Sequence, residues 1–506
     1  MSLLQLSFTL VLIALITSFV LSYIRSPLKD IPGPFLAKFS NLWRFFNHYQ
    51  KAHIETQIAL HKKYGDAVRI GPNVVSLADP GLVKNIYSTR GTFLKSDYYS
   101  INDALQGGHI IPNIFSTRSN EFHSRALKPV QKLYSLNSAV ELEPLMNNTV
   151  QALCSELESR FMDGANKGKT CDIADWISYF TWDFLGDMTF SKRMGFMEQG
   201  KDVGNMIQTA EDVMRYFSVI GQIPTLDKLL GKNPYFPYKF ADFGVPAGFC
   251  VQRFMERVQN PGEFKEKKDF MNGFLAAKEE FPELVSDNEV IGYLMLNKIL
   301  GGADTTGIVM KAIFYHILKT PSAHRALVAE LRSQPNPLTP TSPPSYSTTS
   351  TLPYLDACIK EGLRIHPVVG HIFERIVPSA GLALADGTVL PPRTIVGINP
   401  WVLSRNAAIY GERADAFVPE RWLQGPTEPG AAYDARVRKM RDVDMAFGNG
   451  NRTCLGRPLA LVELYKVTAL LFASYDIELE DPTQEWELHK QWFVWPHKIR
   501  VKMSRA

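Results

Sequence analysis

The most constraining stretch of this chain is Phe447-Gly448-Asn449-Gly450-Asn451-Arg452-Thr453-Cys454-Leu455-Gly456, which hangs a single cysteine on a loop bent by glycines. Glycine reaches backbone angles closed to other residues, so such a loop can fold back and lie close against a flat ligand. Behind it, Arg457-Pro458 opens the stretch Leu459 to Phe472, apolar on nearly every side apart from Glu463 and Lys466. That pattern reads as a buried helix with proline in its first turn. A cysteine just ahead of a helix start gains from unpaired backbone N–H groups and from the positive end of the dipole, and both favour thiolate over thiol. Simpler readings fail on the residues. A nucleotide loop would need a third glycine where Thr453 stands, or a following Gly-Lys-Ser/Thr. A glycan on Asn451-Arg452-Thr453 has no room in a loop packed on a ligand. A lone buried cysteine or a plain glycine turn leaves the rest of the decapeptide unexplained.

The decapeptide resembles the haem-binding signature of the cytochrome P450 family. The resemblance implies that Cys454 ligates the iron of haem b as a thiolate, an axial ligand that favours O–O cleavage. It further implies that Phe447, Gly448 and Gly456 bind the ring and that Arg452 neutralises a propionate. Upstream, Ser286-Asp287-Asn288-Glu289 has the form of a capping box ahead of an apolar run to Thr320-Pro321, which predicts one helix of about 50 Å. In its middle lies Gly301-Gly302-Ala303-Asp304-Thr305-Thr306. Two adjacent glycines weaken a helix by roughly 1 kcal/mol each, so a local distortion or a flat partner is expected there. By resemblance this is the oxygen groove, with Thr305 hydrogen-bonded to dioxygen and Asp304 supplying protons. Read alone, both side chains would serve local backbone carbonyls.

Glu361-Gly362-Leu363-Arg364 sets opposite charges at i and i+3, a weak signal by itself. Its flanks, Leu352 to Lys360 and Ile365-His366-Pro367, resemble the family pattern. So does Pro419-Glu420-Arg421-Trp422, with tryptophan where phenylalanine is usual. The resemblance makes Glu361, Arg364 and Arg421 a buried structural network, costly unless fully paired. One element departs from the pattern: His123 fits the first of two propionate positions on a helix, but Leu127 stands where arginine is usual, with Arg125 and Lys128 nearby as replacements. Arg375 matches another basic position that meets a propionate.

Residues 1–24 carry no charged side chain and are rich in Leu, Ile, Val and Phe, enough to cross a bilayer as a single anchor. Arg25, Lys29 and Lys38 follow, which places the body on the cytosolic side. A cleavable signal would want a basic start and a small-residue cleavage site, neither of which is evident. Residues 25–37, with Ile31-Pro32-Gly33-Pro34, read as a hinge, and 38–506 as one haem-binding domain. That domain is expected to be mainly α with a smaller β region beginning at Tyr64 to Asn73. Five cysteines without close spacing form no disulfide or zinc framework, and a net charge of +4 gives no footing for nucleic acid. Ser333 to Pro353 reads as a mobile surface loop and Gln424 to Ala432 as a second loop.

The resemblance therefore implies an endoplasmic-reticulum, single-pass monooxygenase. It would draw electrons from NADPH–cytochrome P450 reductase, docked near Lys128, Arg457 and Lys466. One atom of O2 would enter a hydrophobic substrate by hydroxylation, epoxidation or O-demethylation. Substrate is expected among Tyr98 to Ile114, the 205–250 region, Leu294 to Thr306, Val368 to Ile372 and Trp492 to Trp495, which are largely apolar or aromatic. Gly450 to Arg457 and Trp492-Phe493-Val494 are similar to fungal microsomal members of the pisatin demethylase and benzoate hydroxylase type, which implies specialised metabolism. Two rival readings are a non-oxidising isomerase or dehydratase on the same fold, and a haem- or ligand-binding protein that is no enzyme.

Overall fold

The apolar run behind the cysteine loop forms one helix, Arg457–Ser474, with Pro458 in its first turn and Val462 to Ala473 buried without a break. Proline is at home there because a first-turn N–H has no helical partner to lose. This helix packs against Ala303–Lys319, Pro321–Arg332 and Pro353–Ile365, so the largest core cluster is helix upon helix. The computed structural model describes every residue except 1–5, 7–8, 10–12, 14–16, 18–19, 22, 107, 234, 239, 241–243 and 297–300. Most of the expected 1–24 anchor lies outside the described residues. Among those described, no helix is long and apolar enough to cross a membrane.

Ser286 caps Asp287–Met295 with both arms of the capping box. The expected helix to Thr320 changes its winding: Leu296, Gly301 and Gly302 take a wider, π-type turn before Ala303–Lys319 resumes as α-helix. Paired glycines, poor at holding an α-turn, explain the change of winding.

The β region is a five-stranded sheet in the order Ala67–Gly71, Val74–Leu77, Ile395–Ile398, Arg375–Ile376, Leu94–Lys95. The first two strands, where the β region was expected to begin, pair antiparallel, and Ile395–Ile398 joins them in parallel. At the far edge, Lys95 sits directly opposite Arg375.

Two expectations are corrected by one carboxylate. Glu143 accepts from Lys466 Nζ at 2.8 Å and from the Tyr346 backbone N–H at 2.7 Å. Lys466 also donates to the Pro344 carbonyl and is buried, so it is no docking residue: a helix that is apolar all round offers its lysine no solvent face. Ser333 to Pro353, expected as a loose surface loop, is instead a packed segment. Leu338 and Thr349 are buried, and the ring of Tyr346 meets that of Tyr465 edge-on.

Glu361 is fully buried and its carboxylate is completely engaged. Oε2 accepts from Arg364 Nε at 2.8 Å and Trp422 Nε1 at 2.9 Å. Oε1 accepts from Arg364 Nη2 at 2.7 Å, Arg421 Nε at 2.9 Å and the Val418 N–H at 2.8 Å. The remaining guanidinium N–H groups reach the carbonyls of Ser404, Ala414 and Ala416 from Arg364, and of Tyr410 and Arg413 from Arg421. The tryptophan that departs from the family pattern thus adds a donor that phenylalanine lacks. Trp422→Phe is expected to lower stability by about 1–3 kcal/mol. Glu361→Gln, which leaves two buried guanidiniums without their carboxylate, is expected to cost about 3–5 kcal/mol. Thermal melting of the two variants beside wild type measures both.

Candidate active site

The cysteine loop is shaped by two glycines, Gly448 at φ +69° and Gly450 at φ +70°, both in the left-handed region. A Cβ on Gly450 would lie 2.1 Å from the Tyr87 carbonyl oxygen, so the loop seats against that backbone only with glycine there. The Cys454 N–H donates to the Phe447 carbonyl at 2.8 Å and closes the loop. Phe447, Gly448, Arg452, Cys454 and Gly456 line a cavity of about 360 Å³, together with Gly301, Gly302, Thr305 and Thr306 from the widened helix turn.

Of the five cysteines only Cys454 lines this cavity; the other four are buried in the core. Its sulfur lies deep in the fold yet stays open to the cavity, the surroundings of a ligand atom rather than of a packed thiol. The backbone N–H groups of Gly456 and Arg457 reach it and favour thiolate, as expected from the helix start. Burial outweighs them, and the pKa is raised. The protein alone therefore holds a neutral thiol, and a coordinated metal cation would deprotonate it.

Basic side chains gather at another part of the wall. Lys95, His123, Arg375 and Arg452 all line the cavity. Burial, then Arg375 and Arg452, pushes the Lys95 pKa far down. Burial, then Arg452 and Lys95, brings His123 to about 4, and burial with Arg375 brings Arg452 to about 10. Among the described lining residues the one carboxyl is Glu463, and burial pushes its pKa well up, toward the neutral form. Arg452 Nε has no hydrogen-bond partner. Like charges set opposite each other in a sheet, as Lys95 and Arg375 are, destabilise it unless an anion lies between them. A flat dianion with a soft-ligated metal fits this donor set: carboxylates at the cations, metal at the sulfur.

Lys95 was not singled out by the sequence, where it is one lysine in the short run Phe93 to Ser96 with no motif around it. Leu127 does line the cavity at the place expected for arginine. Its proposed replacements do not: Arg125 lies over the Phe122 ring and Lys128 over the Phe281 ring. A basic side chain reaches the cavity instead from the sheet edge, at Lys95.

Thr305 Oγ1 faces the cavity and donates to the Gly301 carbonyl at 2.6 Å. Asp304 does not line the cavity. Its Oδ1 accepts from Trp182 Nε1 at 3.0 Å, and burial raises its pKa to about 7. The expected Asp304–Thr305 pair is thus divided, hydroxyl inside and acid behind. The rest of the wall comes from each expected substrate segment: Tyr99 and Ile114, Met214 and Phe217, Leu296, Val368 and Val369, Trp492 and Phe493. Phe115, Tyr134 and Phe184 join them, and the lining is mostly apolar.

A family model described as Cytochrome P450 matches residues 36–503. The chain is similar to the cytochrome P450 monooxygenase cfoH of Aspergillus candidus, at 33% identity over 98% of this chain and 92% of that protein. A cytochrome P450 monooxygenase of Aspergillus terreus is 37% identical over 91% of this chain and 92% of its own length. The monooxygenase asR2 of Sarocladium schorii is 34% identical over 94% and 92%. The chain belongs to the cytochrome P450 family: it is a haem-thiolate monooxygenase, an enzyme that uses O2, an organic substrate and electrons from a redox partner. Lys95→Met is expected to weaken haem binding about 10- to 100-fold, the worth of one charge-assisted contact, while Arg125→Ala leaves it unchanged. Haem transfer to an excess of apomyoglobin, followed by absorbance, measures the difference.

Proposed function

We infer that this chain is a membrane-anchored monooxygenase that oxidises a hydrophobic, aromatic-bearing substrate in fungal specialised metabolism. The observation that carries this reading is the single cavity in which Cys454, the cation group and Thr305 meet an aromatic wall. Cys454 would hold the iron, Phe447, Gly448 and Gly456 would contact the ring, and Lys95, His123, Arg375 and Arg452 would receive the propionates. Haem, when bound there, supplies the reductive activation of O2. One oxygen atom enters the substrate and the other leaves as water, with two electrons and two protons consumed.

The chain's own residues manage the protons and the positioning. Thr305 Oγ1, on giving up the Gly301 carbonyl, becomes free to donate into the cavity. Asp304, with a pKa of about 7, is half protonated near neutrality, where a proton donor works best. It hands on its proton by leaving Trp182 Nε1. Phe217, Trp492 and Phe493 hold the substrate by apolar contact and exclude water.

Residues 1–24 anchor the enzyme in the endoplasmic-reticulum membrane, 25–37 form the hinge, and 38–506 are the cytosolic haem domain. Electrons come from NADPH–cytochrome P450 reductase, docked on the cysteine face where Arg457 is exposed. An isomerase or dehydratase would need neither electrons nor the Asp304–Thr305 pair.

Reconstitution with NADPH, the reductase and a panel of aromatic and polyketide-like compounds tests the reading. Product is expected only with NADPH, and Thr305→Ala is expected to consume NADPH with little product. Product formed equally without NADPH would move the assignment to the non-oxidising reading. Because the Asp304 acid is lost as pH rises through about 7, product per NADPH is expected to fall across that range in wild type. In Asp304→Asn the yield is expected to be low and flat with pH.

A further inference from the structure

Three histidines meet behind the aromatic wall of the cavity. His48 comes from the helix Leu42–Tyr49, His53 opens the helix His53–Tyr64, and His371 lies between Val369 and Phe373 of the cavity wall. One ring nitrogen of each lies within 4.8 Å of the others. The ring centroids are 4.2–4.9 Å apart, and all three side chains are buried. The His371 ring is 4.9 Å from that of Trp492, which lines the cavity.

Burial, with help from neighbouring charges, holds His48 and His371 well below their ordinary pKa and brings His53 to about 3. Each ring offers one nitrogen to the cluster. Hydrogen bonds do not fully use these nitrogens. His371 Nε2 meets Ser218 Oγ at 2.9 Å, and its Nδ1 meets the Tyr98 hydroxyl at a long 3.3 Å. His48 Nδ1 and both nitrogens of His53 have no partner of ordinary geometry, although the Gln491 backbone approaches His53. A buried polar atom without a partner is destabilising, and a shared ligand would satisfy one nitrogen of each ring.

We propose that His48, His53 and His371 form a zinc site that ties the paired N-terminal helices to the wall of the substrate cavity. Three neutral imidazoles without a carboxylate suit zinc and exclude calcium or magnesium, which require oxygen ligands. Tetrahedral zinc holds its nitrogens about 3.3 Å apart, so the ring nitrogens close by about 1.5 Å at most, and the His48 and His53 rings, stacked at 23° to each other, turn so that both lone pairs aim at one point. His371 coordinates through Nδ1, exchanging its long contact with Tyr98 for the metal. Its Nε2 keeps Ser218, the outer hydrogen bond that fixes the ring of a ligating histidine. Two cations act on the trio, Arg44, which is paired with Glu374, and Lys490, which is paired with Glu55.

A second cluster, Glu211, His489 and His497, is held by its carboxylate, which pairs with His489 Nδ1 at 3.0 Å and lies 2.9 Å from His497 Nε2, a nitrogen without a hydrogen bond of ordinary geometry. It serves as the control. Haem-loaded, full-length protein is stripped with chelator, dialysed against zinc chloride, and its zinc counted by mass spectrometry. One zinc per chain is expected in wild type and in Glu211→Gln, falling at least 10-fold in His53→Phe, which fills the same apolar space. X-ray absorption at the zinc edge of the wild-type protein is expected to show three imidazole nitrogens near 2.0 Å, and it decides the matter if His53→Phe does not fold. Wild type without zinc, zinc retained by His53→Phe, or zinc lost with Glu211→Gln overturns the proposal. So does a coordination shell containing a carboxylate.

Discussion

Uncompensated positive charge at the cavity wall is the constraint on which the site depends. Lys95, Arg375 and Arg452, with the imidazole of His123 beside them, face a space whose one lining carboxyl among the described residues, Glu463, is pushed by burial toward its neutral form. The protein holds them there by structure built for other reasons: the sheet register sets Lys95 against Arg375, and the glycine-bent loop brings Arg452 beside them. The thiol of Cys454 is likewise held uncharged by burial. Both ends of the cavity therefore wait on the same cofactor, carboxylates for the cations and a metal for the sulfur. Its binding removes two electrostatic penalties at once, so stability and haem occupancy rise and fall together.

Away from the cavity, single buried carboxylates each gather several chain segments. Glu361 collects the helix Pro353–Ile365 and the stretch from Ser404 to Trp422. Glu143 holds the 333–353 segment and Lys466. Asp183 accepts four consecutive backbone N–H groups, from Met194 to Met197, and so fixes the turn after Ile173–Phe190. A buried carboxylate is expensive alone and stable when every oxygen is filled. These hubs make the framework rigid while the cavity wall stays mostly apolar and able to accept a range of shapes.

Much of this was legible in the sequence wherever backbone chemistry dictates it. The glycines of the cysteine loop, the capping box at Ser286 and the apolar helix after Pro458 each state their local structure through steric or hydrogen-bonding need. The glycine pair at 301–302 likewise announced a distortion, though not that the helix would change its winding there. What the sequence withheld depends on contacts between distant segments. Lys95 owes its importance to a sheet partner some 280 positions away. Asp304 points away from the cavity because Trp182, on another helix, offers it a donor. Lys466 looked available until Glu143 was seen beneath it, and the histidine trio joins residues with no shared motif.

The central claim is that Cys454 presents its sulfur to haem iron in this cavity. The direct measurement is the carbon monoxide difference spectrum of the reduced, purified protein, recorded for wild type and Cys454→Ser. The account predicts a long-wavelength thiolate-type band in wild type and its loss in the variant, with haem still bound. A wild-type protein that binds haem without that band, or a Cys454→Ser variant that keeps it, would contradict the account.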